Sequence, residues 1–148
     1  MTDWTELKSP SLAEFEAIAD ACLAQLPETF RALCDGVVIR IDEFPEDAVL
    51  NDLEAETPFD LLGLFTGVGL ASGETASGQM PNIIHLYRRP ILDYWAEHEE
   101  TLGHLIRHVL IHEIGHHVGL SDEDMEAIEK AADAEADPLS PISDGVNP

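Results

Sequence analysis

Basic residues are scarce in this chain of 148 residues, which has seven lysines and arginines against 30 aspartates and glutamates. The resulting formal net charge of −23 at pH 7 repels both the phosphate backbone of nucleic acids and the anionic surface of a membrane. We therefore expect no nucleic-acid partner and no membrane partner. A macromolecule that binds this chain should be neutral or basic.

Long apolar runs and paired cysteines are also absent from the sequence. No apolar segment approaches the roughly 20 residues of a membrane-spanning helix. The first residues carry acids where a secretory signal carries basic residues followed by an apolar segment. Cys22 and Cys34 form no C-x-x-C pair and lie in or near an apolar helical pattern, which favours buried, reduced thiols over a disulfide. These features predict a cytoplasmic protein.

One hydrophobic core is the expectation for a chain of this length, of which 45% is apolar. We expect a single domain over residues 1–134, without internal repeats, and a monomer. The apolar pattern fades after this point, so residues 135–148 are predicted to form a flexible tail.

Apolar periodicity predicts both helices and strands within this domain. Ser11 and Glu14 fit a capping box before an amphipathic helix, and a second short helix continues to Leu33. Pro90 is expected at the first position of a further helix. Predicted strands are the segments VVIRIDEF (37–44), FDLLGLFTG (59–67) and NIIHLYRR (82–89).

The segment HEIGHHVGLSD, residues 112–122, includes the end of a long helix that is predicted from about residue 101 to 118. His112 and His116 are four residues apart, so their imidazoles lie about 40° apart on one helix face and can reach one tetrahedral zinc ion. Glu113 is rotated by about 100° from His112 and borders the same pocket. That is where a general base for a zinc-activated water belongs.

A third ligand is needed, because a catalytic zinc usually has three protein ligands and leaves the fourth position to water. Gly119 allows a left-handed turn at the helix end, which folds Asp122 back toward the metal side of the helix. Asp122 is therefore the favoured third ligand. Acids are also typical of the first turn of a helix such as the one that Ser121 begins, so Asp124 and Glu126 remain alternatives.

The motif has the form H-E-x-x-H-x-x-G-x-x-D, which resembles the metzincin zinc signature with aspartate in place of the usual third histidine. Together with FDLLGLFTG, IIHLYRRPIL and SDEDM, it makes the chain similar to the small bacterial zincin-like metallopeptidases over about residues 59–131. This resemblance implies a minimal zincin-like α+β fold, with a small mixed sheet packed on the active-site helix. It also implies zinc bound by His112, His116 and Asp122, with Glu113 as the base.

Other histidines accompany the motif. His104 and His108 extend the four-residue spacing toward the start of the helix, and we expect them in supporting or core positions rather than in a second metal site. His85 and Tyr87, on a predicted strand near this helix, are expected in core packing or structural hydrogen bonds, ahead of a role at an oxyanion. Met125 follows Asp122 too closely to be more than a loose counterpart of the metzincin methionine turn.

Two further segments bear on substrate binding. Residues 59–67 are a candidate edge strand with which an extended peptide could pair, although an ordinary internal strand is the alternative. The Gly/Ser-rich loop 68–82 could border a cleft. Arg88 and Arg89 are expected in salt bridges rather than in contact with a substrate.

The sequence therefore predicts a zinc-dependent metallopeptidase that hydrolyses neutral or basic peptides, with Glu113 as general base. The alternative is a non-catalytic zinc-binding module, structural or for protein interaction, in which the metal fastens the helix end to the following helix. A closed fourth coordination position would favour the module, because catalysis needs that position for water.

Overall fold

The computed structural model describes residues 3–67 and 82–136. These ranges form an α+β fold of helices around a small sheet, as predicted. Their elements, in chain order, are α1 (Leu12–Ala24), α2 (Glu28–Leu33), β1 (Val37–Asp42), α3 (Asp47–Asp52), β2 (Gly63–Thr66), β3 (Asn82–Tyr87), α4 (Arg88–Ala96), α5 (Leu102–His117) and α6 (Asp122–Ala136). None of the helices in these two ranges is both long and apolar enough to span a membrane.

The sheet is mixed, with the strand order β1-β3-β2. Strand β1 runs parallel to β3, and Val37 lies opposite Asn82. Strand β2 runs antiparallel to β3, and Leu64 lies opposite His85. Within the described residues β2 is therefore an edge strand, which agrees with the edge position considered for residues 59–67.

Alternation along the strands gives the sheet one core face and one open face. Ile84 and Leu86 of β3 are fully buried, and Phe65 of β2 joins them in the core. Helices α1 and α5 pack on this face and on each other. The side chains that alternate with these core residues along the strands, such as His85, border a cleft of about 540 Å³ on the opposite side of the sheet. The motif helix is thus attached to the sheet through its apolar side.

The two cysteines lie in this core as free thiols, as their apolar surroundings predicted. Burial raises the pKa of Cys22, and it raises the pKa of Cys34 to about 11. Both side chains are therefore neutral thiols at physiological pH, and their contribution is packing rather than nucleophilic chemistry.

Local signals set most of the helix starts. The predicted capping box is present, because Ser11 Oγ accepts from the backbone N–H of Glu14 and the Glu14 carboxylate accepts from that of Ser11. Helix α4 begins at Arg88, two residues before the predicted start at Pro90. Proline is tolerated there because the N–H groups of the first helical turn have no partner within the helix.

The strand predicted over residues 59–67 is shorter in the structure, since only Gly63–Thr66 pairs with β3. Residues Pro58–Asp60 instead form a 3-10 turn, which Thr57 and Asp60 close with a capping box. The predicted loop 68–82 lies outside the described residues except for Asn82, which begins β3. Helix α6 continues to Ala136, and the rest of the predicted tail is likewise outside the described ranges.

Arg88 and Arg89 form the predicted ion pairs, and both pair with Glu43 just beyond β1. Arg88 is buried, and its Nη1 lies 3.0 Å from Glu43 Oε1. Its Nε also donates to the Pro10 carbonyl oxygen at 2.6 Å, and its Nη2 donates to Ser9 Oγ at 2.8 Å. This side chain therefore fixes the segment before α1 to the end of the sheet.

Candidate metal centre

The motif helix α5 ends in a left-handed turn at Gly119, as predicted. Gly119 has φ +86°, the Leu120 N–H donates to the Gly115 carbonyl oxygen at 2.8 Å, and the Gly119 N–H donates to that of His116 at 3.2 Å. These two bonds are the Schellman arrangement, which satisfies carbonyls left free at a helix end. The chain then reverses and begins α6, so both helices border the same site.

Helix α6 starts at the predicted cap. The Ser121 hydroxyl accepts from the Asp124 N–H at 3.1 Å, and the Asp124 carboxylate accepts from the Ser121 N–H at 3.3 Å. Asp124 is therefore occupied in capping, and Glu126 is exposed on the helix surface. Neither of these two alternatives to Asp122 is brought to the histidines.

Behind the motif, Met125 of α6 packs directly on Gly115 of α5. Met125 is fully buried, and a Cβ added at Gly115 would lie 2.5 Å from its Sδ and 2.9 Å from its Cγ. A side chain at position 115 would push the helices apart. The glycine in the motif thus sets the close approach of α6 to the part of α5 that carries His112 and His116.

His116 and Asp122 face each other across the turn. The distance from His116 Nε2 to Asp122 Oδ1 is 3.9 Å, too long for a hydrogen bond. Two ligand atoms of one tetrahedral zinc are roughly 3.3–3.6 Å apart, so a small movement brings these atoms to that separation. The side chains are 60% and 93% exposed, and such a movement meets little obstruction.

His112 points toward Glu129 of α6, a residue that was not predicted as a ligand. His112 Nε2 donates to Glu129 Oε2 at 3.0 Å, and His108 Nδ1 donates to Glu129 Oε1 at 3.1 Å. The Glu129 side chain is only 15% exposed. The ligand atoms of His108, His112 and Glu129 all lie within 4.8 Å of one another.

A sequence signal for Glu129 exists in the spacing of α6. The residues of α6 that turn toward α5 recur at helical intervals of three and four. They are Met125, Ile128, Glu129 and Ala132, of which the first and last are buried and Ile128 packs on the core. An acid within an apolar stripe is the anomaly that could have identified Glu129 before the structure.

The side chain of Glu113, a residue of α5, lies against strand β2. Burial raises the pKa of its carboxyl group, while the charge of His116 and the backbone amide of Phe65 partly oppose that shift. A Cβ added at Gly63 of β2 would lie 3.5 Å from Glu113 Cγ, so the strand runs directly beside this carboxylic acid. The geometry thus places Glu113 next to the backbone of an edge strand.

Gly63 makes this close approach possible, and Gly63→Ala is expected to lower the free energy of unfolding by about 1–3 kcal/mol. The added methyl would lie 2.7 Å from Val109 Cγ1 and 3.0 Å from the His85 carbonyl oxygen, which is backbone and cannot rotate away. Urea denaturation of the variant and the wild type measures the difference.

Gly103→Ala is the matched control, because a Cβ at that position in α5 meets no atom within 4 Å. Alanine is also the better helix former, so the control should be as stable as the wild type or up to about 1 kcal/mol more stable. Equal stability of the Gly63→Ala variant and the wild type would contradict close packing at β2.

The remaining predicted residues lie on α5 and β3. His104 Nδ1 contacts Glu100 Oε1 at 2.8 Å on the surface, so His104 is not a core residue. His85 Nε2 lies 3.1 Å from Thr66 Oγ1, which confirms a structural hydrogen bond between β3 and β2. Tyr87 is buried, and burial together with nearby acids raises its pKa to about 12.

The chemistry of these side chains fits zinc. Imidazole nitrogens and carboxylate oxygens are its common ligands besides thiolates, and two histidines on one helix with a carboxylate from the next element is a frequent set. The structure brings His112 and His116 to 5.8 Å between ring centres, with the rings nearly perpendicular at 84°. Glu129 lies 3.0 Å from His112 and Asp122 lies 3.9 Å from His116, so a carboxylate oxygen is near each histidine.

Comparison with known proteins identifies the family of this chain. A search of curated proteins gave no match. The family model of zincin-like metallopeptidases matches residues 34–132, which run from just before β1 into α6 and cover two thirds of the chain. Membership of this family implies a zinc-dependent peptidase. The chain therefore belongs to the zincin-like metallopeptidase family.

Proposed function

We propose that this protein is a zinc-dependent metallopeptidase in which His112, His116 and Asp122 hold the metal and Glu113 is the general base. The observation that carries the proposal is the position of Glu113, which follows a metal ligand directly and lies beside β2. A carboxylate there can reach both a water on the metal side and a peptide on the strand side.

The chemistry divides between the metal and the protein. A bound zinc ion supplies Lewis-acid activation of water and polarisation of the scissile carbonyl. Glu113 accepts a proton as the water attacks and then donates it to the nitrogen of the departing amine. The Schellman turn at Gly119 and the packing of Met125 support the close approach of α5 and α6 that the proposed ligand set requires.

The edge of β2 that pairs with no strand in residues 3–67 and 82–136 supplies the binding surface for the substrate. An extended peptide pairs with such an edge through backbone N–H and carbonyl groups, with little dependence on its side chains. The net charge of −23 concentrates cations around the protein, so neutral or basic peptides are favoured. We therefore expect cleavage of unstructured peptides in preference to folded proteins, whose backbone is already paired.

A second candidate function is a non-catalytic zinc module, structural or for protein interaction. The observation that favours it is the contact between His112 of α5 and Glu129 of α6 at 3.0 Å. A metal held between those two helices would fasten them together, and a fourth protein ligand would be needed to exclude water from it. The two functions differ in whether the metal-loaded protein hydrolyses peptide bonds.

The test combines metal analysis with peptide hydrolysis. Purified protein is expected to hold about one zinc per chain and to cleave members of a mixed peptide library, as mass spectrometry detects. Removal of zinc with 1,10-phenanthroline should abolish cleavage, and added zinc should restore it. Cleavage that survives complete metal removal would overturn the mechanism, whereas stoichiometric zinc without any cleavage would support the non-catalytic module.

A further inference from the structure

We propose that His108, His112 and Glu129 form a second position for a divalent metal of the zinc, cobalt or nickel type. This position shares His112 with the zinc site proposed above. One ion can therefore lie on the α6 side of His112, with His108 and Glu129, or at the turn, with His116 and Asp122. The inference concerns metal binding and goes beyond the proposed function.

The second position is already assembled in the structure. Glu129 lies between the two histidines, with contacts of 3.1 Å to His108 Nδ1 and 3.0 Å to His112 Nε2. Ligand atoms on one tetrahedral zinc are roughly 3.3–3.6 Å apart, so each histidine–carboxylate contact needs to lengthen by only a few tenths of an ångström to hold an ion. The ligand atoms of the two histidines also lie within 4.8 Å of each other. The imidazoles lie side by side, with ring centres 4.0 Å apart.

The position at the turn, with His116 and Asp122, has its ligand atoms farther apart than the second position. His116 Nε2 is 3.9 Å from Asp122 Oδ1, and His112 Nε2 is directed at Glu129. Within residues 3–67 and 82–136, the His108, His112 and Glu129 cluster is the one group of three ligand-type side chains whose ligand atoms converge within 4.8 Å. The shared histidine is thus oriented toward the second position.

Accessibility and charge both allow an ion to enter. The His108 side chain is 45% exposed, so the cluster has a path to solvent. The strongly negative protein attracts cations, and two imidazoles with a carboxylate select borderline metals over magnesium or calcium. A hydrogen-bonded trio with no metal is the competing explanation of the same contacts.

A metal ion in the second position would prevent peptide hydrolysis, an effect that rests on the proposed function. An ion bound through His112 and Glu129 is withdrawn from His116 and from the ligand arrangement beside Glu113. The second position would then hold metal without supporting hydrolysis. Movement of the ion between the two positions would switch the enzyme between a resting and an active form.

The deciding experiment removes the ligands at the turn and measures what binding remains. In the double variant His116→Ala/Asp122→Asn, we expect one zinc per chain, measured by competition with a chromophoric chelator. Cobalt in place of zinc should give the visible absorption of a site with nitrogen and oxygen ligands. Both replaced side chains are largely exposed, so the fold should be retained, and circular dichroism verifies this.

Adding Glu129→Gln or His108→Ala to that double variant should weaken zinc binding by roughly 10–100-fold or more, since even residues that only support a ligand have effects of this size. Failure of the double variant to bind zinc would overturn the proposal, and so would binding that is indifferent to Glu129 and His108. These outcomes are separate from the proposed function, which fails if zinc-loaded wild type cleaves no peptide.

Discussion

Replacement of Glu113 by glutamine is expected to lower kcat/KM for peptide hydrolysis by about 10²–10⁴-fold, the usual contribution of a general acid–base residue. Glutamine keeps the shape of the side chain beside β2 but cannot accept a proton from the attacking water. The proposed ligands His112 and His116 are unchanged, so the zinc content should equal that of the wild type. Stopped assays with a fluorogenic peptide identified from the library, together with metal analysis, measure both quantities.

Glu16→Gln provides a control with the same loss of charge, because Glu16 is exposed on α1. Its kcat/KM should match that of the wild type. Two outcomes speak against Glu113 as the base. In one, activity is retained in Glu113→Gln; in the other, zinc and activity are lost together, which would make Glu113 important for the metal site rather than for proton transfer.

Truncation of Met125 to alanine is expected to have the largest effect on stability, lowering the free energy of unfolding by about 2–5 kcal/mol. Met125 is fully buried, and its side chain fills the space above Gly115 between α5 and α6. Glycine has no side chain with which to fill the resulting cavity, so the gap closes only if the helices move. Urea denaturation at neutral pH, followed by circular dichroism, measures the loss.

Met125→Leu tests whether the volume of the side chain or its sulfur atom is responsible for this stability. A swap that conserves volume usually costs less than about 1.5 kcal/mol. The alanine variant should also bind zinc more weakly than the leucine variant, because α6 carries Asp122 and Glu129 and its docking positions both carboxylates. If the alanine variant unfolds at the wild-type urea concentration, Met125 does not hold the two helices together.

Several features that depend on neighbours in sequence were predicted correctly. The left-handed turn at Gly119, the cap at Ser121 and the capping box at Ser11 each follow from a few adjacent residues, and all three are present. The zincin-like α+β fold was predicted from the motif through family resemblance, and the family match confirms it. The ligand and base assignments of the motif remain predictions.

Contacts that depend on how helices and strands pack against each other could not be predicted from a few adjacent residues. Glu129 meets His112 only because Gly115 allows α6 to approach α5, and no local rule states how closely two helices will pack. The short length of β2 has a local cause, since Thr57 and Asp60 form a capping box that stabilises a 3-10 turn in a segment that the apolar pattern predicted as strand. The strand order β1-β3-β2, by contrast, depends on contacts between segments that are distant in sequence.

The helix pair around the Gly119 turn separates metal binding from catalysis along the folding pathway. Every residue proposed here as a ligand lies between His108 and Glu129, in a helical hairpin whose contacts are close in sequence. Such local contacts form early, because little chain entropy is lost in closing them. The contact of Glu113 with β2 instead joins distant parts of the chain and needs the completed sheet. We therefore expect a partly folded chain to bind the proposed metal ion before the proposed base is in place.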